Sequence, residues 1–404
     1  MTSKDFMRLE ERYGANNYQP LPVVLTRGEG VWVWDVEGNR YLDVLAGYSA
    51  LNQGHRHPRI LEALYEQAGR LTLTARAFHN DLLGPLCQEL CELTGHEAML
   101  PMNTGAEAVE TAIKMARKWG YKVKGIPRDR GEIVVCGGNF HGRTISIVGF
   151  SSEQQYRDGF GPFTPGFVRI EYGSAEALRA AITPHTAAFL VEPIQGEGGI
   201  IVPPEGFLAE TRAVCRDNNV LFMADEIQSG FGRAGTMLAC QHENVHPDAV
   251  ILGKALGGGI VPISAVCASR EVMDAAFTPG DHGSTFGGNP LACAVARAAL
   301  RVLVEERLPE RSAELGASFI QKLRDLKSPV VKEVRGRGLW IGVEIEEEAG
   351  DARPYCEALL EQGILAKETH KQVLRISPPL VITQAEIDWA LERLAVVLAE
   401  PRGA

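Results

Sequence analysis

Five short apolar runs in the middle of the chain, with helical periodicity between some of them, restrict its possible folds more than any other feature. They are Glu132 to Cys136, Ala187 to Val191, Val220 to Ala224, Ala249 to Leu252 and Ile263 to Ala268. Runs of this length, rich in Val, Ile, Leu and Ala and lacking polar alternation, suit strands buried on both faces. With helical patterns such as Leu208 to Asn218 among them, the expected architecture is an α/β sheet with helices on both sides. Three of the runs have a polar residue at or just past their end: Glu192, Asp225 and Lys254. In open sheets of this class ligands gather outside the carboxyl ends of the strands, so the pattern assigns all three residues to that edge.

Lys254 lies in Asp248-Ala-Val-Ile-Leu-Gly-Lys-Ala-Leu-Gly-Gly-Gly, a strand-like run that delivers one amine and then dissolves into glycine. Desolvation there disfavours the charged form and leaves a nucleophile competent to form a Schiff base. Taken alone, the same stretch also describes a lysine whose head snorkels to water. A second feature lies upstream, where Val109, Ala112, Ile113 and Ala116 share one helical face and Thr104-x-x-Glu107 forms a capping box. Thr104, Gly105 and Ala106 then present a hydroxyl and free N–H groups at a helix N-terminus, a setting that favours phosphate. Asp225, closing a buried-type strand, needs a cationic or N–H partner. The ring nitrogen of pyridoxal phosphate is such a partner, and that cofactor also uses a lysine Schiff base.

Composition excludes several classes of function. The 404 residues are 45% hydrophobic and 23% charged, ordinary for a globular chain long enough for a large core and a second lobe. The net charge is -10 with both signs interspersed, which favours small-molecule partners over nucleic acid or an anionic membrane. The first residues carry neither a secretory h-region nor the acid-free character of a transit peptide, and no stretch is long enough to span a membrane. Eight scattered cysteines without C-x-x-C pairing read as free thiols in a reducing cytoplasm.

The expected organisation has three parts. Residues 1–52 form an N-terminal segment with a hairpin around Glu37-Gly38-Asn39 that contributes to a small domain. Residues 53–303 form the large cofactor-binding domain, and residues 304–404 complete the small α+β domain. Within the last part, Val330 to Ile345 reads as an alternating strand and Gln384 to Leu398 as a closing helix.

Six motifs carry a resemblance over nearly the whole chain. They are Asn103-Thr-Gly-Ala-Glu-Ala-Val-Glu, Phe140-His-Gly-Arg-Thr, Val191-Glu-Pro-Ile-Gln-Gly-Glu-Gly-Gly, Ala224-Asp-Glu-Ile-Gln-Ser-Gly-Phe-Gly-Arg, Leu252-Gly-Lys-Ala-Leu-Gly-Gly-Gly and Gly283-Ser-Thr-Phe-Gly-Gly-Asn-Pro. Together they resemble the class III pyridoxal-phosphate aminotransferases. Tyr13-Gly-Ala-Asn-Asn-Tyr-Gln-Pro, Gly47-Tyr-Ser-Ala-Leu-Asn-Gln-Gly-His and Trp119-Gly-Tyr-Lys-Val-Lys-Gly-Ile resemble the members that act on ornithine.

The resemblance implies a fold type I transferase with a mostly parallel sheet between helices. It implies that Lys254 binds the cofactor and shuttles protons, that Asp225 faces the ring nitrogen, that Gln228 contacts the phenolic oxygen and that Phe140 stacks on the ring. Thr104, Gly105 and Ala106 would hold the phosphate, joined by Ser284 and Thr285 from a second subunit of a homodimer or larger assembly. Arg143 with Tyr18 would hold the distant α-carboxylate of ornithine, while Glu197 neutralises Arg375 and Tyr48 narrows the pocket. The implied reaction moves the terminal amine of ornithine to 2-oxoglutarate. Acetylornithine, succinylornithine or 4-aminobutyrate transamination, or an aminomutase, are the alternatives on the same core. One departure is His141, as in acetylornithine-type relatives, where ornithine-type members often carry Trp. The formal G-x-G-x-x-G of Gly230 to Gly235 lacks the strand and acidic residue of a dinucleotide fold, and Gly253-Lys254 lacks the remainder of a P-loop.

Overall fold

The computed structural model describes residues 1–402. Its centre is a seven-stranded sheet in the order Ala98–Met102, Ser264–Ala268, Ala249–Leu252, Leu221–Asp225, Thr186–Val191, Glu132–Cys136, Phe167–Ile170. All neighbours are parallel except at Ser264–Ala268, which runs antiparallel to both of its partners. The five strands expected from the sequence are present with ends shifted by a residue at most. Two more flank them. Phe167–Ile170 is half exposed, and Ala98–Met102 contains Pro101, which is tolerated because this strand lies at the sheet edge.

Both faces are covered, and for that reason the strands read as continuous apolar runs. The helix Gly105–Trp119 lays Val109, Ala112, Ile113 and Ala116 on one face, against Ile133, Leu190, Met223 and Ile251. The helix Phe207–Asp217 lays Leu208, Val214 and Cys215 on the other, against Val134, Phe189, Val191 and Phe222. At about 25 cal/mol per Å² of apolar area removed from water, such contacts dominate the stabilisation of the sheet.

Register places the site. Val191 pairs with Ala224 and Asp225 pairs with Ile251. Glu192 and Asp225 therefore leave neighbouring parallel strands side by side, and Lys254 follows just past the end of the next strand. The antiparallel strand beyond ends the parallel run at the same place.

Two smaller sheets complete the chain. The first, Leu25–Glu29, Trp32–Asp35, Arg40–Asp43 and Ile364–Leu365, joins the N-terminal hairpin to a C-terminal strand by parallel pairing. The second has the order Val331–Arg337, Trp340–Ile345, Val373–Ile376, Lys367–Thr369. Here the single alternating strand expected over Val330 to Ile345 is corrected, because the segment is an antiparallel hairpin. Gly338 turns it with φ +59°, and a Cβ there would sit 2.6 Å from Gly235 N and from Ser312 Oγ. Only glycine fits that turn, and the alternation of apolar residues runs through it unmarked. Among the described residues no helix is long and apolar enough to cross a membrane, and all eight cysteines are free.

Candidate active site

A cavity of about 210 Å³ opens at the carboxyl edge of the large sheet, lined among others by Gly105, Ala106, Phe140, His141, Glu192, Asp225, Gln228 and Lys254. Lys254 enters it from a backbone at φ +44°. That is an uncommon conformation for a side-chain-bearing residue, of the kind that the surrounding structure must hold in place. Burial pushes its amine below the usual lysine range. The Glu197 carboxylate opposes this shift, and the Arg375 guanidinium adds to it. Easier loss of the proton is what a nucleophilic lysine needs.

Asp225 is buried and accepts from His141, with Oδ2 to Nδ1 at 2.6 Å, while its Oδ1 accepts the Ile227 N–H at 3.1 Å. Burial alone would lower the His141 pKa, but the hydrogen bond and charge of Asp225, with the Glu192 charge, bring it above the ordinary histidine value. Glu192 lies beside Asp225 and accepts the Phe140 N–H at 2.9 Å. Burial raises its carboxyl to about 7, with His141 opposing and the Asp225 charge adding to the rise. Two carboxyl groups on adjacent strand ends are thus distinguished by their surroundings. Asp225 has the histidine against it, and Glu192 keeps its proton above the usual glutamate range.

The capping box at Thr104 is formed. Thr104 Oγ1 accepts the Glu107 N–H at 3.3 Å, and Glu107 Oε2 accepts the Thr104 N–H at 2.7 Å. Thr104 is exposed and its N–H is committed to Glu107, whereas Gly105 and Ala106 line the cavity and their N–H groups lack a partner in the described chain. Those two donors at the N-terminus of a 15-residue helix fit a phosphate at one end of the cavity. With Lys254 and Asp225 lining the same cavity, the donor set fits pyridoxal phosphate.

Alongside the cavity, Arg375 is 1% exposed and pairs with Glu197 at 2.9 Å, and it also donates to Gly196 O at 3.1 Å. Burial would raise the Glu197 pKa. The Arg375 and Lys254 charges and hydrogen bonds from Arg375 and Gln228 outweigh that and hold it below the ordinary value. Gln228 Nε2 reaches Tyr48 O at 3.3 Å and Glu197 Oε1 at 3.4 Å. A Cβ on Gly196 would collide with Gln228 Oε1 and Trp340, so this contact needs glycine. The Tyr48 ring faces the Arg375 guanidinium at 5.2 Å. Tyr48 is presented by four consecutive residues in left-handed backbone, Ala46 to Ser49. Such runs are costly for L-residues. Asp43 holds this one, its Oδ1 accepting the Leu45 and Ala46 N–H groups at 2.9 Å each.

Arg143 is exposed and lies among three rings, at 4.6 Å from Tyr156, 5.9 Å from Phe140 and 6.0 Å from Tyr18, which is itself 67% exposed. Ser284 and Thr285 do not line the cavity of their own chain. Ser284 Oγ accepts from Asn103 Nδ2 at 2.7 Å, and Thr285 is exposed. Sequence reasoning gave no role to His141 or Tyr156. His141 is adjacent to Phe140, but nothing local to it signals Asp225, which lies 84 residues away.

The similarity of the chain to known proteins agrees with this geometry. The family "Aminotransferase class-III" matches residues 13–398. An ornithine aminotransferase of Geobacillus sp. (strain WCH70) is 63% identical over 395 residues, covering 98% of each chain. The crystal structure of ornithine aminotransferase from Toxoplasma gondii, with partial occupancy of PLP at its active site, superposes with TM-score 0.97 at 50% identity. It covers 98% of this chain and 94% of that one. An acetylornithine aminotransferase from Elizabethkingia anophelis superposes with TM-score 0.90 at 48% identity, covering 98% and 99%. With the strand-end lysine, the paired aspartate and the free helix N-terminus all at one edge of the sheet, this chain belongs to the class III aminotransferases.

Proposed function

We propose that this chain transfers the terminal amino group of L-ornithine to 2-oxoglutarate, giving glutamate and glutamate 5-semialdehyde, which cyclises to pyrroline-5-carboxylate. The observation that carries the reading is the pairing of Arg375 with Glu197 at 2.9 Å while Arg143 has no acidic partner among the described residues. Ornithine brings one carboxylate, and one accessible arginine matches it. An unpaired Arg375 at that depth would be costly beside the amine end of the substrate. 2-Oxoglutarate brings two carboxylates, and its second competes with Glu197 for Arg375. Tyr48, held over Arg375, restricts the space on that side.

Pyridoxal phosphate, when bound, supplies an electron-withdrawing ring that makes the C–H bond next to the transferred nitrogen acidic. The chain's own groups do the rest. Gly105 and Ala106 would donate to the phosphate from the helix N-terminus beside Thr104, and Phe140 would cover the ring face. Asp225, oriented by His141, would hold negative charge at the ring nitrogen, and Gln228 would donate toward the phenolic oxygen. Lys254 would hold the cofactor and carry a proton at its Nζ. Ser284 and Thr285 complete the phosphate site from a second copy of the chain, so the active form is at least a homodimer. Arg143 and Tyr18 orient the distant α-carboxylate. The free thiols suit a reducing cytoplasm.

A second reading, acetylornithine as the amino donor, is favoured by His141 and by the Elizabethkingia neighbour. One experiment separates the two. Cofactor-loaded protein mixed with ornithine alone is expected to change the cofactor's absorption and to release an aldehyde trapped as pyrroline-5-carboxylate. A change with acetylornithine and none with ornithine overturns the reading. Turnover without 2-oxoglutarate points instead to an aminomutase.

A further inference from the structure

Arg143 is unusual among the arginines near the site in what it does not touch. Among the described residues it has no acidic partner and donates no hydrogen bond, although it is exposed and follows Gly142, which lines the cavity. Of the three rings about it, that of Tyr156 is nearest, with the guanidinium carbon 4.6 Å from the centroid. The Phe140 and Tyr18 rings lie at 5.9 and 6.0 Å, near the outer limit for a cation over an aromatic face. Tyr156 is half-buried in the short helix Gln154–Arg157 and packs edge-on to Phe140, with centroids 6.1 Å apart and planes at 76°. It thus fixes itself on one residue of the cofactor site while its ring holds the guanidinium.

The choice of an aromatic partner has a chemical consequence. A carboxylate beside Arg143 would occupy the planar N–H fork that a substrate carboxylate must use. A ring attracts the cation through its quadrupole and leaves every N–H free. It also reduces the rotamer freedom that a long exposed side chain otherwise loses on binding.

We propose that Tyr156 is a positioning residue that holds Arg143 through its ring, so that the carboxylate of an ω-amino acid or of a dicarboxylic 2-oxo acid meets a preset guanidinium. The proposal rests on the reading of Arg143 as the arginine that binds the distant carboxylate. Tyr156 acts on the binding of both substrates and leaves the chemical step unchanged.

The test compares holoenzyme variants Tyr156→Leu, Tyr156→Phe and Arg143→Ala in steady-state kinetics with ornithine and 2-oxoglutarate, each checked by thermal melting. Tyr156→Leu keeps bulk and loses the ring. KM for both substrates is expected to rise about three- to tenfold with kcat within about twofold. Tyr156→Phe keeps the ring and is expected to match the parent. If Arg143→Ala raises KM but Tyr156→Leu does not, the proposal is overturned. A kcat loss without a KM rise, or a Phe variant as impaired as the Leu variant, also overturns it. If Arg143→Ala itself leaves both KM values unchanged, the reading of Arg143 fails first.

Discussion

The two arginines that flank the cavity are held in opposite ways. Arg375 is 1% exposed, lies in the strand Val373–Ile376, and is neutralised by Glu197 at 2.9 Å. Arg143 is exposed, lies outside any helix or strand, and rests against rings. A buried guanidinium without a counterion costs several kcal/mol, so the first needs an internal carboxylate. The second stays solvated and needs only orientation. On the proposed function, the same side chain would serve as a switchable partner at one end and as a standing receptor at the other.

The largest expected effect breaks the buried end. Arg375→Ala leaves Glu197 unpaired beside Lys254, and loss of such a partner costs about 3–5 kcal/mol. The kcat/KM for 2-oxoglutarate should fall about 10²–10³-fold by stopped-flow measurement of the glutamate-forming half-reaction. A fall below about tenfold would place the α-carboxylate of the oxo acid elsewhere.

A smaller effect sharpens the contrast. Glu197→Gln keeps the shape but removes the charge that neutralises Arg375. The ornithine half-reaction should lose about 10–100-fold in kcat/KM, in line with one charged hydrogen bond of about 1.5–3 kcal/mol. The glutamate half-reaction should stay within about threefold. Equal losses in both would mean that Glu197 does not discriminate between the substrates.

The last effect is on stability rather than turnover, and it concerns the strand end that carries Glu192. The Glu192 carboxyl is raised to about 7 by burial. A folded pKa above the unfolded value means that the folded chain retains the proton longer, so stability is greatest below the ordinary glutamate range. It then declines as pH rises toward and through 7. His141, also raised, contributes in the same direction above its ordinary value. Glu192→Gln should remove the Glu192 part, on the order of 3 kcal/mol. Cofactor-free variant should melt higher than the parent at pH 8.5 and about equally at pH 5. No difference at pH 8.5 would show that Glu192 titrates normally.

Much of the fold was legible because its strands are buried on both faces, and burial writes itself into composition as unbroken apolar runs. In the large sheet, the strands that escaped are those that break that rule, and elsewhere a turn went unmarked. Ala98–Met102 carries a proline allowed only by its edge position, Phe167–Ile170 is half exposed, and the hairpin at Gly338 hides its turn in an uninterrupted alternation. The site divides in the same way. Thr104 with Glu107, Asp225 and Lys254 stand out because each marks the start or end of an element. His141 and Tyr156 do not, because their importance lies in partners far along the chain or across a loop.

The sequence by itself thus determined the α/β sheet, the helix N-terminus at Gly105, and the delivery of an acid and an amine to one edge, since each follows from local periodicity and capping. Only the tertiary structure decided which acid faces the histidine, that Arg143 rests against Tyr156, and that Tyr48 stands on four left-handed residues held by Asp43. Those outcomes depend on desolvation and on contacts between segments far apart in the chain. Neither quantity is a property of any short stretch of residues.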